Sequence, residues 1–307
     1  MRLNPVLESL GAYPIALVHE RARELRDAGR TVIDFSIGDP REPTPPFIAD
    51  ALRDAVPEVA QYPLTVGLPE LRQAIAEYLG RRFDVSVDPC TQVIPTSGSI
   101  EAVFTSPLAF IDRSADDTVV VGTPGYPVYE RGGLFAGANL HPVVLGGDFV
   151  LRAGDVPDDV WPSVKLLWTC SPHNPTGAVT AESDLAALLD RTRSVGGLLL
   201  ADECYADVYE PATFPSGPAS ALQVSGPDFA GVLTFISCSK RSGMTGYRSG
   251  AIVGDAAAIA ALRRLRTTTG TASPDFVQAA AAAAWSDDDH ATDCLLYTSP
   301  SPRDFKY

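Results

Sequence analysis

The sequence predicts an α/β protein whose mostly parallel, mixed sheet lies between helices. Two observations support this. Short, nearly continuous apolar runs rich in β-branched residues and leucine stand at 118–122 (T-V-V-V-G), 164–170 (V-K-L-L-W-T-C), 197–203 (G-L-L-L-A-D-E), 232–237 (V-L-T-F-I-S) and 249–254 (S-G-A-I-V-G). Helical or loop segments separate them, among them the amphipathic E-S-D-L-A-A-L-L-D-R-T-R at 182–193. Strands without polar alternation are buried on both faces, and that requires helices on both sides of the sheet.

The elements before these runs follow from local signals. Residues 16–29 (A-L-V-H-E-R-A-R-E-L-R-D-A-G) have helical periodicity and end in Gly29, a C-terminal glycine signal. Residues 31–40 (T-V-I-D-F-S-I-G-D-P) read as a short extended run stopped by a Gly/Pro loop. Residues 45–56 read as a helix with proline at its start, and 69–80 (P-E-L-R-Q-A-I-A-E-Y-L-G) as another. S-G-S-I-E-A at 97–102 follows Q-V-I-P-T and opens a helix.

Composition narrows the function classes. The chain has 307 residues, 45% hydrophobic and 20% charged, with net charge −14. That balance argues against non-specific nucleic-acid binding, which needs a basic face. No apolar run reaches the ~20 residues that span a bilayer, so no membrane partner is expected. The first residues show no signal-peptide pattern. Cys90, Cys170, Cys204, Cys238 and Cys294 are scattered, as are His19, His141, His173 and His290. Reduced thiols, a cytoplasmic location and no metal site are the expectation.

In open α/β sheets, ligands sit beyond the carboxyl ends of the strands, and the unusual residues fall there. Gly98 and Ser99 open a helix and offer backbone N–H groups to an anion, or an ordinary capped helix. Tyr126 stands in a proline-framed turn, where it could stack on a flat ring or simply fill the turn. Asn174 lies in the rigid loop S-P-H-N-P-T-G, 171–177. Asp202 follows four apolar residues and needs a partner there: a cationic ring nitrogen, an arginine or a helix end. Tyr205 lies three residues on. In S-C-S-K-R-S-G-M-T-G-Y-R-S-G (237–250), Lys240 can form an imine with an aldehyde, while Ser237 and Arg248 suit a phosphate. Each feature alone has an ordinary structural explanation. Together they describe one cofactor, pyridoxal 5′-phosphate: an amine for its aldehyde, a carboxylate for its ring nitrogen, donors for its ring oxygen and a phosphate cup.

Those motifs, with Y-P-L-T-V-G-L-P-E-L-R-Q-A-I-A at 62–76, resemble the class I/II aminotransferases of pyridoxal-phosphate fold type I, the aspartate aminotransferase superfamily, from about residue 3 to residue 293. The resemblance implies a large domain of that fold. It implies that Lys240 bonds the cofactor and shuttles the proton at the substrate's Cα. It implies that Asp202 pairs with the pyridine nitrogen, and that Asn174 and Tyr205 meet the 3-oxygen. The phosphate cup would be Ser237, Arg248, Gly98, Ser99 and the amide of Ile100, with Tyr126 stacked on the ring. Tyr62 would reach the other subunit's phosphate, which implies a homodimer. Gly38 and Asn174 would border the substrate. L-N-P-V-L-E-S-L-G-A-Y-P and D-F-S-I-G-D-P-R-E-P-T-P-P resemble succinyldiaminopimelate aminotransferases of lysine biosynthesis, with alanine-type or broad-specificity enzymes as the near alternative.

The resemblance also sets expectations for domains. Residues 1–44 would contribute to a small domain, and 45–293 would form the cofactor-binding large domain. Most of a C-terminal small domain, with the family's substrate-carboxylate arginine, would be missing. C-L-L-Y-T-S-P-S-P-R-D at 294–304 resembles a translated sequencing adapter, so 294–307 is expected to be a non-native tail. The exposed face of the run at 279–285 (A-A-A-A-A-A-W) and the floor of the site are then expected to be uncovered, and the chain poorly stable and poorly active. Transamination between an amino acid and a 2-oxo acid is the leading function. A fold type I carbon–sulfur β-lyase shares every cofactor residue. A cofactor-sensing transcription regulator would need a basic domain before the fold, and the acidic charge with motifs inside the first forty residues opposes it.

Overall fold

The computed structural model describes the backbone of residues 1–10, 14–34, 38, 40 and 43–296. The chain divides into two compact units, residues 1–41 and 42–307. The first holds helix α1 (Pro5–Ser9), capped by the Asn4 side chain, and helix α2 (Pro14–Asp27). Gly29 follows α2 at φ 77°, a left-handed position that glycine adopts without steric cost. Arg26 pairs with Asp34 at 2.9 Å. Residues 31–34 of the expected extended run form no strand; 35–37 and 39 lie outside the described residues.

The second unit begins with α3 (Pro46–Asp54) and α4 (Pro69–Phe83), both with proline in the first turn. It continues through β1 (Val93–Thr96), α5 (Ser99–Thr105), β2 (Thr118–Thr123), α6 (Val128–Ala136), β3 (Asn139–Val144) and β4 (Val164–Cys170). Then come α7 (Glu182–Ser194), β5 (Leu198–Asp202), β6 (Val232–Ser237), α8 (Cys238–Arg241), β7 (Gly250–Gly254), α9 (Ala256–Thr269), α10 (Asp275–Ser286) and α11 (Asp289–Leu296). The strands form one seven-stranded sheet in the order β1-β7-β6-β5-β4-β2-β3. Within it β7 runs antiparallel to both its neighbours, and the other pairings are parallel.

The two-sided burial read from the apolar runs is visible residue by residue. Val120, Leu167, Leu199 and Val232 face one core with α3, α4, α7 and α10. Val119, Leu166, Leu200 and Leu233 face a second core with α5, α6 and α9. Successive side chains of a strand point to opposite faces, so each apolar pair feeds both cores.

Two features go beyond the sequence expectations. Strand β3 carries no continuous apolar run, because it is an edge strand with Val144 83% exposed and Pro142 in its middle, a residue tolerated at sheet edges. One face of the alanine run is closely covered, with Ala280, Ala281, Ala284 and Trp285 at most 1% exposed, while Ala279, Ala282 and Ala283 on its other side are half-buried. Small side chains let α10 lie close against α3 and α4, and the Trp285 ring packs 4.6 Å from that of Tyr78. Of the tail read as non-native, 297–307 lies outside the described residues; the backbone of 294–296 belongs to α11.

Candidate active site

The parallel strands β1, β2, β4, β5 and β6 end on one rim, and the reversed β7 starts there. Thr96 and Ser237 both pair with Gly250, and Cys170 pairs with Asp202. Strand polarity alone therefore gathers Gly98, Ser99, Ile100, Tyr126, Asn174, Asp202, Tyr205, Ser237, Lys240 and Arg248 along that rim.

Asp202 ends β5 and is 6% exposed. Its Oδ2 accepts a hydrogen bond from Tyr129 Oη at 2.6 Å, and its Oδ1 accepts from the Cys204 amide at 3.1 Å. Burial pushes its carboxyl above the usual carboxylate range, and those two bonds pull it partly back. The Tyr129 ring stacks on Trp168 at 4.6 Å and 14°, and Tyr126 meets it edge-on at 5.6 Å. The loop carrying Asn174 is tied to the same strand end, since the Ser171 amide donates to Asp202 O at 3.1 Å. The loop closes on itself through His173 N to Ala178 O at 2.8 Å and Gly177 N to His173 O at 2.7 Å. Tyr205 is half-buried, and burial pushes its phenol up to about 12.

At the other end of the rim, Gly98 stands at φ 81°, and a Cβ there would lie 2.4 Å from Arg248 Nη2. No side chain caps α5, so the amides following Gly98 are not taken up by a cap. A Cβ on Gly250 would meet Thr96 Oγ1 at 3.2 Å and the Ser99 amide at 3.3 Å. Thr96 Oγ1 is itself buried with no hydrogen-bond partner. Arg248 is exposed, in a left-handed conformation at φ 58°, with Nη1 donating to Thr245 O at 2.9 Å. Ser237 Oγ caps α8 by accepting from the Ser239 amide at 3.1 Å, and Lys240 is half-buried on that short helix. Glycine, backbone amides and a guanidinium come together at one end, and a buried carboxylate stands at the other. That donor set fits a phosphate and a cationic ring nitrogen.

Tyr62 is fully exposed, and Gly38 belongs to the first unit.

The family model "Aminotransferase class I and II" matches residues 30–297. The chain belongs to the class I and II aminotransferases. It is 35% identical over 286 residues to the LL-diaminopimelate aminotransferase of Desulforudis audaxviator, covering 91% of this chain and 70% of that protein. It is 35% identical over 276 residues to the enzyme of the same name from Aquifex aeolicus, covering 89% and 70%. Among solved structures, an aminotransferase from Neisseria meningitidis superposes with TM-score 0.87 at 34% identity, covering 96% of this chain and 76% of that one. An aspartate aminotransferase double mutant from Thermus thermophilus superposes with TM-score 0.86 at 28% identity, covering 97% and 76%.

This aminotransferase is pyridoxal-phosphate dependent, and it carries site groups that sequence reading missed. Tyr129, which holds Asp202, is one. Its only sequence signal is its place three residues after Tyr126, at the second residue of α6. Thr96 and the Cys204 amide are others, and neither has a distinctive motif.

Proposed function

We propose that this aminotransferase moves an amino group between a diaminopimelate-type amino acid, free or N-succinylated, and 2-oxoglutarate, in cytoplasmic lysine biosynthesis. The relatives' shared name supports the diaminopimelate skeleton, and the opening motifs support the succinylated form. The rim carries the reading: a lysine-bearing helix between a buried carboxylate and an arginine-lined glycine cradle.

When bound, pyridoxal 5′-phosphate supplies an electron sink that acidifies the substrate's Cα–H. Lys240 Nζ takes the proton from Cα and returns it in the reverse half-reaction. Asp202 holds negative charge against the ring nitrogen. Asn174 and Tyr205 donate to the ring oxygen, and Asn174 borders the substrate. Ser237, Arg248, Gly98, Ser99 and the Ile100 amide grip the phosphate, and Tyr126 packs on the ring.

Residues 45–293 serve as the cofactor-binding domain and 1–44 as part of a small domain. A homodimer suits the exposed apolar segment after α3, where Val56, Val59, Tyr62 and Leu64 are 55–100% exposed. A single isolated chain gains nothing by presenting such a cluster to water. In the dimer Tyr62 reaches the other subunit's phosphate.

Amino-group exchange measured with LL-diaminopimelate, its N-succinyl form and alanine, each against 2-oxoglutarate, tests the proposal. Exchange with either diaminopimelate compound, lost in Lys240→Ala, is expected. Release of pyruvate and ammonia from a cysteine-type substrate without exchange would replace it with the β-lyase.

A further inference from the structure

Arg241, the residue after Lys240, is 3% exposed and binds both neighbours of the lysine helix. Its Nε lies 2.9 Å from Asp207 Oδ2, in the segment that follows Asp202 and Tyr205, as an ion pair without hydrogen-bond geometry. Its Nη1 donates to Ala284 O at 2.7 Å, near the end of α10, and its Nη2 to Asp287 O at 3.0 Å and to the Asp288 carboxylate. The guanidinium lies over the rings of Tyr78 at 4.8 Å and Trp285 at 5.3 Å, while Tyr78 Oη donates to Asp207 at 2.8 Å.

The next residue is held as well. Ser242 Oγ lies 2.9 Å from His290 Nε2, and His290 Nδ1 lies 2.8 Å from Asp287 Oδ1. This serine–histidine–aspartate chain cannot act as a hydrolytic centre, because Ser242 is fully buried and no substrate reaches it. It joins the same α10–α11 corner that Arg241 grips. Helix α8 has four residues, too few to be stable alone, so what fixes it must come from outside.

We propose that Arg241 is a positioning residue for Lys240, seconded by Ser242. Its guanidinium locks α8 to the Asp207 segment on one side and to the α10–α11 corner on the other. The lysine thus keeps a set place relative to the Asp202 strand end. This rests on the role given to Lys240 above.

Binding of two cofactor forms to the apoprotein tests it. Pyridoxal 5′-phosphate can join Lys240 Nζ with loss of one water, whereas pyridoxamine 5′-phosphate has no aldehyde and binds through noncovalent contacts alone. The ratio of their affinities reads the placement of the amine. Arg241→Lys and Arg241→Met are expected to lower that ratio about tenfold, the scale of breaking a coupled contact, with amine-form affinity held within about twofold. Ser242→Ala shifts it the same way by less. It also serves as the test, with Arg241→Lys, if Arg241→Met does not fold. An unchanged ratio in the Arg241 variants, or equal losses for both forms, overturns the inference while Lys240→Ala still abolishes the aldehyde preference. A preference that survives Lys240→Ala overturns the reading of Lys240 itself.

Discussion

The phenol of Tyr129 lies 2.6 Å from the carboxylate of Asp202, and both are buried. A charged carboxylate under this rim is costly without donors, and the described structure gives it two, this phenol and the Cys204 amide. Tyr129 is itself fixed by its stack on Trp168, so the donor cannot easily turn away. The pair sets how readily Asp202 stays ionised.

Tyr129→Phe should therefore raise the Asp202 carboxyl further, since burial already pushes it up and one opposing bond is lost. On the role proposed for Asp202 its ionised form is the active one, so the acid limb of the kcat/KM profile should move to higher pH. Loss of one donor to a buried charged group costs about 1–3 kcal/mol. A profile identical to wild type would show that the phenol does not influence the carboxyl.

Glu203 is 4% exposed, with Oε1 accepting from the Ala221 amide at 2.7 Å and Oε2 without a hydrogen-bond partner. Burial raises its carboxyl from 4.5 to about 8. A raised folded value means the stability it contributes is full below the unfolded value and fades as pH rises through about 8. Apoprotein Tm should fall between those limits, and Glu203→Gln should flatten the fall. A Tm profile unchanged by that substitution would refute the assignment.

Gly98→Ala puts a methyl 2.4 Å from Arg248 Nη2 at a φ of 81°. The guanidinium must move and the backbone is strained, at a cost of order 1–3 kcal/mol. Titration of the apoprotein with pyridoxamine 5′-phosphate should show weakened binding, with little change for Gly147→Ala, where a Cβ meets open space.

Arg266, 2% exposed, places Nη1 2.8 Å from both oxygens of Glu101, whose Oε1 also accepts from the Ser97 amide at 2.8 Å. Arg266→Met leaves that carboxylate beside the cradle without its counter-charge. The stranded carboxylate is 21% exposed, so the loss is about 1–3 kcal/mol, below that of a fully buried pair. Urea denaturation should reveal it, and Glu101→Gln should cost at least as much, because it takes the counter-charge from the more deeply buried Arg266.

The sequence by itself determined the layers and the mostly parallel character of the sheet. Runs such as Leu198–Asp202 and Val232–Ser237 are apolar on both faces, and no arrangement but a sheet covered twice satisfies them. It also placed Asn174, Asp202, Lys240 and Arg248 just beyond strand ends, because loop chemistry is local and proline, glycine and charge mark it. Tertiary structure alone decided what meets these residues. Tyr129 is 73 positions from Asp202, and Arg241 is 43 from Ala284, so neither contact leaves a local pattern. How far each face of the alanine helix is covered was decided in the same way: it depends on which helices arrive there, and that is a property of the assembled core.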